Sequence, residues 1–388
     1  IDLIHTKFRS SKQMLQPVKN QLKKVWLAYM TNKDRRKRSA LGVGDKYLPP
    51  ALWGASVNSF GHLEIGGADT VSLADTYGTP LYVCDRDRLL EDYREFIGSF
   101  RQHYPHVEVD YSYKTNPLPG ALQVLHEDGA GAEVISPFEL WLALSMGVSP
   151  AQITFNGPAK TDGGIETAVR EGIRLINVDN VDEVATIQTF AEQYDRVQPV
   201  GVRVTTSVGW SSQFGLSIRS GAAREAFEKA MDAPSLDACA LHVHLGTGIK
   251  DPGMYDQAIR EVLEFAAQLK KDLGAEFCYF DFGGGFGVPT VRKYTDSDYR
   301  LIANGYSPTV VDINVAPPIS AYAERIGALM NQYWPESAGK RPTVLFEPGR
   351  VISSRAQSLL LRVIAVKPNP AGHFNVILDG GLNVAQPT

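Results

Sequence analysis

The sequence predicts an α/β protein built as a (β/α)8 barrel with a β-sheet domain attached. Three observations predict it. Short apolar β-type runs alternate with helix-length amphipathic stretches from about residue 82 onward, the pattern of a parallel sheet with crossover helices. Eight such units over about 260 residues match a closed barrel better than a doubly wound open sheet, which usually has fewer strands. Beyond residue 347 the rhythm changes to 357–366 (QSLLLRVIAV) and 374–379 (FNVILD). These are strands without helices between them, so a β domain starts there.

Composition narrows the classes. A chain of 388 residues, 44% of them hydrophobic, can bury a full core over about two domains. No run of about 18 apolar residues occurs, so no membrane span is expected. The first twenty residues mix Asp2, Lys7, Arg9, Lys12 and Lys19 with apolar ones, unlike a signal peptide. Cys84, Cys239 and Cys278 lie far apart and form no metal-type spacing. A reduced, cytoplasmic setting and no metal are therefore expected.

Taken in order, residues 1–52 form a basic N-terminal extension. Residues 1–50 carry twelve Lys or Arg against three Asp or Glu, a charge of +9, which leaves −13 on the rest of a chain of net charge −4. Such an arm suits nucleic acid or an anionic surface, or equally a solvated helix docked on its own acidic body or on a partner subunit. The second of these is the reading taken. Residues 15–31 have loose helical spacing and DRRKRSALGVGDK reads as a linker. Residues 53–80 hold short alternating stretches with glycine, a β element assigned to the second domain.

The barrel is assigned to residues 81–350. Its eight strand runs are 109–113, 132–136, 153–156, 174–178, 200–204, 239–244, 278–282 and 343–347. The stretch 289–320, rich in Tyr, Pro and Asp, is longer than an ordinary connection and reads as a lid or insertion. Residues 351–388 begin the C-terminal β domain, which stops short in the sequence as written.

In a parallel barrel, chemistry gathers at the C-terminal ends of the strands. Here those ends read Lys114, Ser136, Asn156, Asp179, Arg203, His244, Gly283–Gly285 and Glu347–Arg350. Polar residues converging on one face suit a polar ligand, because burying them without partners is costly. Lys114 is either solvated or, with its pKa lowered, a Schiff-base lysine. FDFGGGFG lets backbone N–H groups approach an anion or simply makes a tight turn. It lacks the spacing of the dinucleotide fingerprint and no GK[ST] follows. His242 and His244 share a strand face but have no third ligand for zinc. Glu347 and Arg350 either pair with each other or address two ends of one ligand.

Together these motifs resemble the fold-type III pyridoxal-phosphate decarboxylases, the family of diaminopimelate, ornithine and arginine decarboxylases. The resemblance rests on YSYKTN (111–116), GAGAEVISPFEL (129–140), FNGPAKT (155–161), INVDN (176–180), VGVRV (200–204), QFGL (213–216), LHVHLGTG (241–248), FDFGGGFG (280–287), EPGR (347–350) and LDGG (378–381). They follow the family's order over residues 75–385. GAGAEVIS and HVHLGTG lean toward the diaminopimelate branch. The resemblance implies a barrel of the alanine-racemase type, pyridoxal 5'-phosphate as cofactor, an amino-acid substrate and a homodimer with shared active sites.

By the same resemblance, Lys114 is similar to the lysine that holds the cofactor as a Schiff base. His244 resembles the histidine that stacks on its ring, and Glu347 the carboxylate that pairs with the pyridine nitrogen. These three are the expected catalytic residues. Gly283, Gly284, Gly285 and Arg350 resemble the phosphate cradle, with Thr247 as helper, and Glu133 and Arg203 resemble supporting residues.

The sequence also departs from the family. Glu133 replaces a common aspartate. Gln386–Pro387 stands near the place of an Arg-Pro that meets a substrate carboxylate in diaminopimelate decarboxylases. No cysteine here matches the family's Cys-containing stretch, so the proton donor is not named. The expected function is a decarboxylase for a specialised amino acid of a siderophore, antibiotic or amine pathway. The alternatives are diaminopimelate decarboxylase making L-lysine and, in another class, a non-catalytic regulatory homologue.

Overall fold

The computed structural model describes residues 50–210, 213–291, 313–314, 316–368 and 374–385, together with scattered residues between 19 and 32. The chain divides into two compact units: residues 82–288 with 316–358, and residues 1–81 with 289–315 and 359–388.

The larger unit is the barrel. Its strands are β1 (Val107–Ser112), β2 (Gly131–Val134), β3 (Ile153–Phe155), β4 (Leu175–Val178), β5 (Gln198–Thr205), β6 (Leu236–His242), β7 (Tyr279–Asp281) and β8 (Thr343–Phe346). Neighbours pair in parallel from β1 through β8, and β8 pairs back with β1, closing the ring. Both faces of these strands are buried, which is why they read as continuous apolar runs rather than as alternation.

Successive side chains point to opposite faces of a strand, and this sorts the barrel wall. Val107, Val109 and Tyr111 face the helices and belong to the main core. The alternate positions fill the interior in layers. Arg174, just before β4, pairs with Asp110 and with Glu108 (2.7 Å), and Thr154 donates to Asp110 at 2.8 Å. Leu175, Ala240 and Leu345 form a small separate apolar cluster. Polar residues fill the end layer, which is the floor of the site.

Helix Arg86–Arg101 shows how the outer layer forms. Asp85 caps it by accepting from the Asp87 and Arg88 N–H groups, supplying partners that the first turn lacks. It buries Leu89, Tyr93, Phe96, Ile97 and Phe100, a stripe at helical spacing. Phe96 and Phe100 meet Phe286 and Phe346. Each such fully buried ring is worth about 1.5–3 kcal/mol. Helix Pro252–Leu273 packs its own buried stripe and ends at Gly274, whose φ of 70° is the left-handed cap.

The barrel unit differs from the assigned 81–350 in two ways. It runs on to Ser358, because helix Arg350–Ser353 buries Ile352 and Ser353 and Arg355 pairs with Asp92. It also omits 289–315. The described parts of that stretch, Thr290–Val291 and Ile313–Asn314, form an antiparallel pair grouped with the smaller unit.

The smaller unit contains an antiparallel meander of Ala55–Val57, Leu63–Ile65 and Ala68–Asp69. Asp69 then caps helix Thr70–Tyr77. Val363–Pro368 pairs antiparallel with Phe374–Leu378. Described residues of the N-terminal extension are helical, and Leu22, Val25, Trp26 and Tyr29 are exposed. The linker expected in that extension lies outside the described residues. Among the described residues no helix is long and apolar enough to cross a membrane.

Candidate active site

A cavity of about 320 Å³ opens at the C-terminal ends of the barrel strands. Its lining includes Lys114, Glu133, Arg203, His244, Thr247, Gly285, Glu347 and Arg350. The structure therefore brings together eight of the ten residues singled out from sequence.

Lys114 rides on a single 3-10 turn, Tyr113–Thr115, directly after β1. The turn is anchored from behind. Tyr113 is fully buried, and its hydroxyl bonds His126 Nε2 at 2.7 Å. His126 Nδ1 lies 2.8 Å from the Ala130 carbonyl. A carbonyl only accepts, so Nδ1 carries the proton and the tyrosine donates to Nε2.

The Lys114 Nζ donates to Glu133 Oε2 at 2.9 Å. The same oxygen accepts from Ser112 Oγ at 2.5 Å, and Glu133 Oε1 accepts from Asn156 at 3.2 Å. Burial works to lower the lysine pKa, but the Glu133 and Glu347 charges outweigh it and hold the ammonium above its ordinary value. Lys114 is thus a paired cation.

Glu347 directly follows β8, on the cavity floor. Asn156 donates to its Oε1, and the same asparagine accepts from Asn177 at 2.8 Å. His242 Nε2 and His244 Nδ1 stand 3.5 and 3.6 Å from its two oxygens. Burial pushes Glu347 up, yet the surrounding cations and donors prevail and the carboxylate stays below its usual range. A charged His242 would add to this, but burial drives that imidazole well below its ordinary pKa. The Lys114 ammonium lowers the Glu347 pKa as well, and Asn156 adds a hydrogen bond to Oε1.

The glycine run at the end of β7 is shaped by close approach. Gly283 and Gly285 have φ of 65° and 87°, values that favour glycine. A Cβ on Gly284 would sit 2.1 Å from the Glu347 carbonyl oxygen, and one on Gly285 2.0 Å from that of Gly246. Of the three, Gly285 lines the cavity. Gly283 and Gly284 lie behind it, with their N–H groups already given to Asp281 (3.0 Å) and His244 Nδ1 (3.2 Å). They shape the cradle and orient the imidazole rather than presenting free donors, because their amides face the strand ends. At the cavity edge Arg350 donates to Thr247 Oγ1 at 2.5 Å.

Arg203 is placed by a second buried chain. Its Nη1 donates to Asp179 at 3.1 Å, and the guanidinium lies 4.6 Å over the Phe214 ring. The Asp179 N–H donates to Glu183, which also accepts from the buried Lys160 at 2.9 Å. Burial lowers the Lys160 pKa, and the Glu183 charge offsets this only in part.

Sequence reasoning missed several residues of this site. Trp210 stacks on Phe214 (5.7 Å) and lies 5.9 Å from His244, lining the cavity. Asn177 and Asp281 were also missed; they join Asn156, read from sequence as a strand-end residue, and His242, weighed there only as a zinc ligand, on the floor. The available signal was the alternate-residue pattern at the strand ends, which places Asn156 beside Thr154 and His242 beside Ala240 on the inner face.

The site has a lysine beside a buried ionised carboxylate, a histidine held by a glycine turn, and an arginine–threonine pair at the rim. This is a barrel-borne site for a phosphorylated aldehyde cofactor. The cradle has no room for even a methyl group, and the cavity falls within the size range of small-molecule sites, so the residues fit such a group. Residues 90–354 match the family described as pyridoxal-dependent decarboxylase, pyridoxal binding domain. The chain belongs to that family.

Among curated relatives it is 33% identical to the diaminopimelate decarboxylase of Methanothermobacter thermautotrophicus, over 84% of this chain and 72% of the relative. It is 30% identical to that of Bacillus methanolicus, over 84% and 74%. Among solved structures it resembles the diaminopimelate decarboxylase of Methanocaldococcus jannaschii in complex with L-lysine. The TM-score is 0.74 at 27% identity, covering 85% of this chain and 74% of that one. The chain is a pyridoxal-phosphate-dependent decarboxylase, a carbon–carbon lyase.

Proposed function

We propose that this enzyme removes CO2 from the D-centre of meso-diaminopimelate and releases L-lysine. The observation that carries the reading is the likeness to diaminopimelate decarboxylases, at 33% and 30% identity over 84% of the chain. The residues are assigned as follows. Lys114 would hold the cofactor through its aldehyde, with Glu133 placed to accept the lysine proton. Glu347 pairs with the ring nitrogen. His244, fixed by the Gly284 N–H, would cover one face of the ring. Arg350, Thr247 and Gly285 hold the phosphate, and Arg203, held by Asp179, supports the wall. When bound, the cofactor supplies an electron sink for the carbon that loses CO2. An ionised Glu347 would keep a proton on a ring nitrogen placed beside it, which a neutral partner would not do. A homodimer with shared active sites and a cytoplasmic location belong to the same proposal.

A second reading keeps the chemistry but changes the substrate to a specialised amino acid. One sequence observation favours it: Gln386–Pro387 stands where an Arg-Pro is expected, and loss of an arginine removes a bidentate carboxylate partner. Those two residues lie outside the described ones. The test is CO2 release and L-lysine formation from meso-diaminopimelate, compared with L-lysine, L-ornithine and L-arginine as substrates. The proposal expects kcat/KM for meso-diaminopimelate to exceed the others by at least about a hundredfold, equivalent to about 2.7 kcal/mol of transition-state discrimination. Turnover of none of them would favour the second reading.

A further inference from the structure

Behind the cavity floor, Asp281 ends β7 fully buried. One of its oxygens accepts the Gly283 N–H at 3.0 Å, and the other accepts from Asn177 Nδ2 at 3.1 Å. An oxygen of Asp281, one of Glu347 and a nitrogen of His242 all lie within 4.8 Å of one another.

The groups facing Asp281 come from five strands. From β8 it meets the Glu347 carboxylate, and from β1 Asp110, which is already paired with Arg174. From β6 it meets His242, neither of whose nitrogens has a hydrogen-bond partner among the described residues. From β4 and β3 come Asn177 and, through it, Asn156. Lys114, whose charge also acts on Glu347, pairs with Glu133. Thus two carboxylates share a buried pocket with, among the described residues, no cation paired with Asp281, an arrangement that disfavours ionisation of both. Burial and the Glu347 charge act together to push Asp281 well above the usual carboxylate range, whereas Glu347 is held below it.

We propose that Asp281 is a positioning residue that carries a proton on the oxygen facing Glu347 and donates it there, holding Glu347 ionised and oriented at the cavity floor. The consequence for catalysis rests on the reading of Glu347 as partner of the cofactor's ring nitrogen. The protonation itself does not. The arrangement makes Glu347 a fixed acceptor without a second charge beside it, since a protonated acid supplies a strong hydrogen bond at no electrostatic cost. It also gives a reason for the Asn177 contact, which keeps the Asp281 carboxyl from rotating away.

The test is an infrared spectrum of the whole protein near neutral pH, with natural and carboxyl-13C aspartate. The wild type is expected to show a protonated-carboxylic-acid carbonyl band that shifts with the label. The band should be missing in Asp281→Asn and retained in Asp110→Asn. A wild-type spectrum without a label-sensitive band, or a band lost in Asp110→Asn but kept in Asp281→Asn, overturns the proposal. The labelled wild-type spectrum stands even if a variant does not fold.

Pyridoxal-phosphate affinity gives an independent readout. Asp281→Asn, which mimics the protonated acid, should bind within about threefold of wild type, whereas Asp281→Ala should bind about tenfold more weakly. The Asp281→Ala affinity should also fall further as pH is lowered, because Glu347 then protonates more readily. Equal, pH-independent affinities in both variants would overturn the proposal. If Glu347→Gln binds the cofactor as wild type does while the Asp281 band persists, the reading of Glu347 fails and the protonation of Asp281 stands.

Discussion

Lys114 is an ammonium tied to Glu133, and its amine could join an aldehyde only after losing that proton. The pair also fixes where the lysine points, since Glu133 is itself held by Ser112 and Asn156. Lys114→Ala should therefore lose the cofactor on gel filtration, seen as absence of the bound-cofactor absorbance band that the wild type retains. A retained band in Lys114→Ala would show that another group carries it.

Histidine titration makes a second prediction at this scale. Burial lowers the pKa of His126, so in the folded chain it stays neutral where the unfolded chain would take up a proton. The unfolded state then binds more protons below about pH 6.5, and stability falls as pH drops through that value. Asp281, with its raised pKa, acts in the opposite sense, losing stability as pH rises. The His126 contribution is therefore read as the difference between wild type and His126→Asn. Thermal melts at about pH 5.5 and 7.5 should show the wild type losing more on acidification than the variant does. Identical losses would remove His126 from the account.

At the scale of elements, the barrel strands were legible because burial on both faces leaves a simple mark, a short apolar run between helix signals. All eight predicted runs contain a strand, with ends displaced by a few residues. The run expected from 174 begins at Leu175, because Arg174 is drawn into the barrel by Asp110 and Glu108 rather than continuing the ladder. A run of apolar letters does not show such an ion pair, whose partners are 64 residues apart. Removing one member of a buried pair strands the other charge, at a cost of about 3–5 kcal/mol. Arg174→Ala should accordingly lower Tm by several degrees, measured by calorimetry, and Arg174→Met combined with Asp110→Leu should recover much of the loss. A Tm unchanged in Arg174→Ala would mean that the pair is not stabilising the interior.

For the whole molecule, the division into a barrel and a smaller β-rich unit was visible as a change of rhythm after residue 347, but its boundary was not. Ile352, Ser353 and Arg355 decide it through burial and an ion pair with Asp92, whose partner lies 263 residues away. The proposed homodimer is a prediction at this scale. Sedimentation of the purified chain should give twice the 42.5 kDa monomer mass, and a monomer active at full rate would contradict shared active sites.

The sequence by itself determined the parallel barrel, the strand-end positions of Lys114, His244, Glu347 and Arg350, and the kind of cofactor chemistry they suit. These are local properties, written in alternation, glycine turns and ordered motifs. Only the tertiary structure decided that Gly283 and Gly284 stand behind the wall, that Trp210 lines it, and that Asn156, Asn177 and Asp281 converge under Glu347. Those facts depend on ring closure, which brings residues from opposite strands into one buried interior. There the competition between burial and neighbouring charge, not residue identity, sets which group holds a proton.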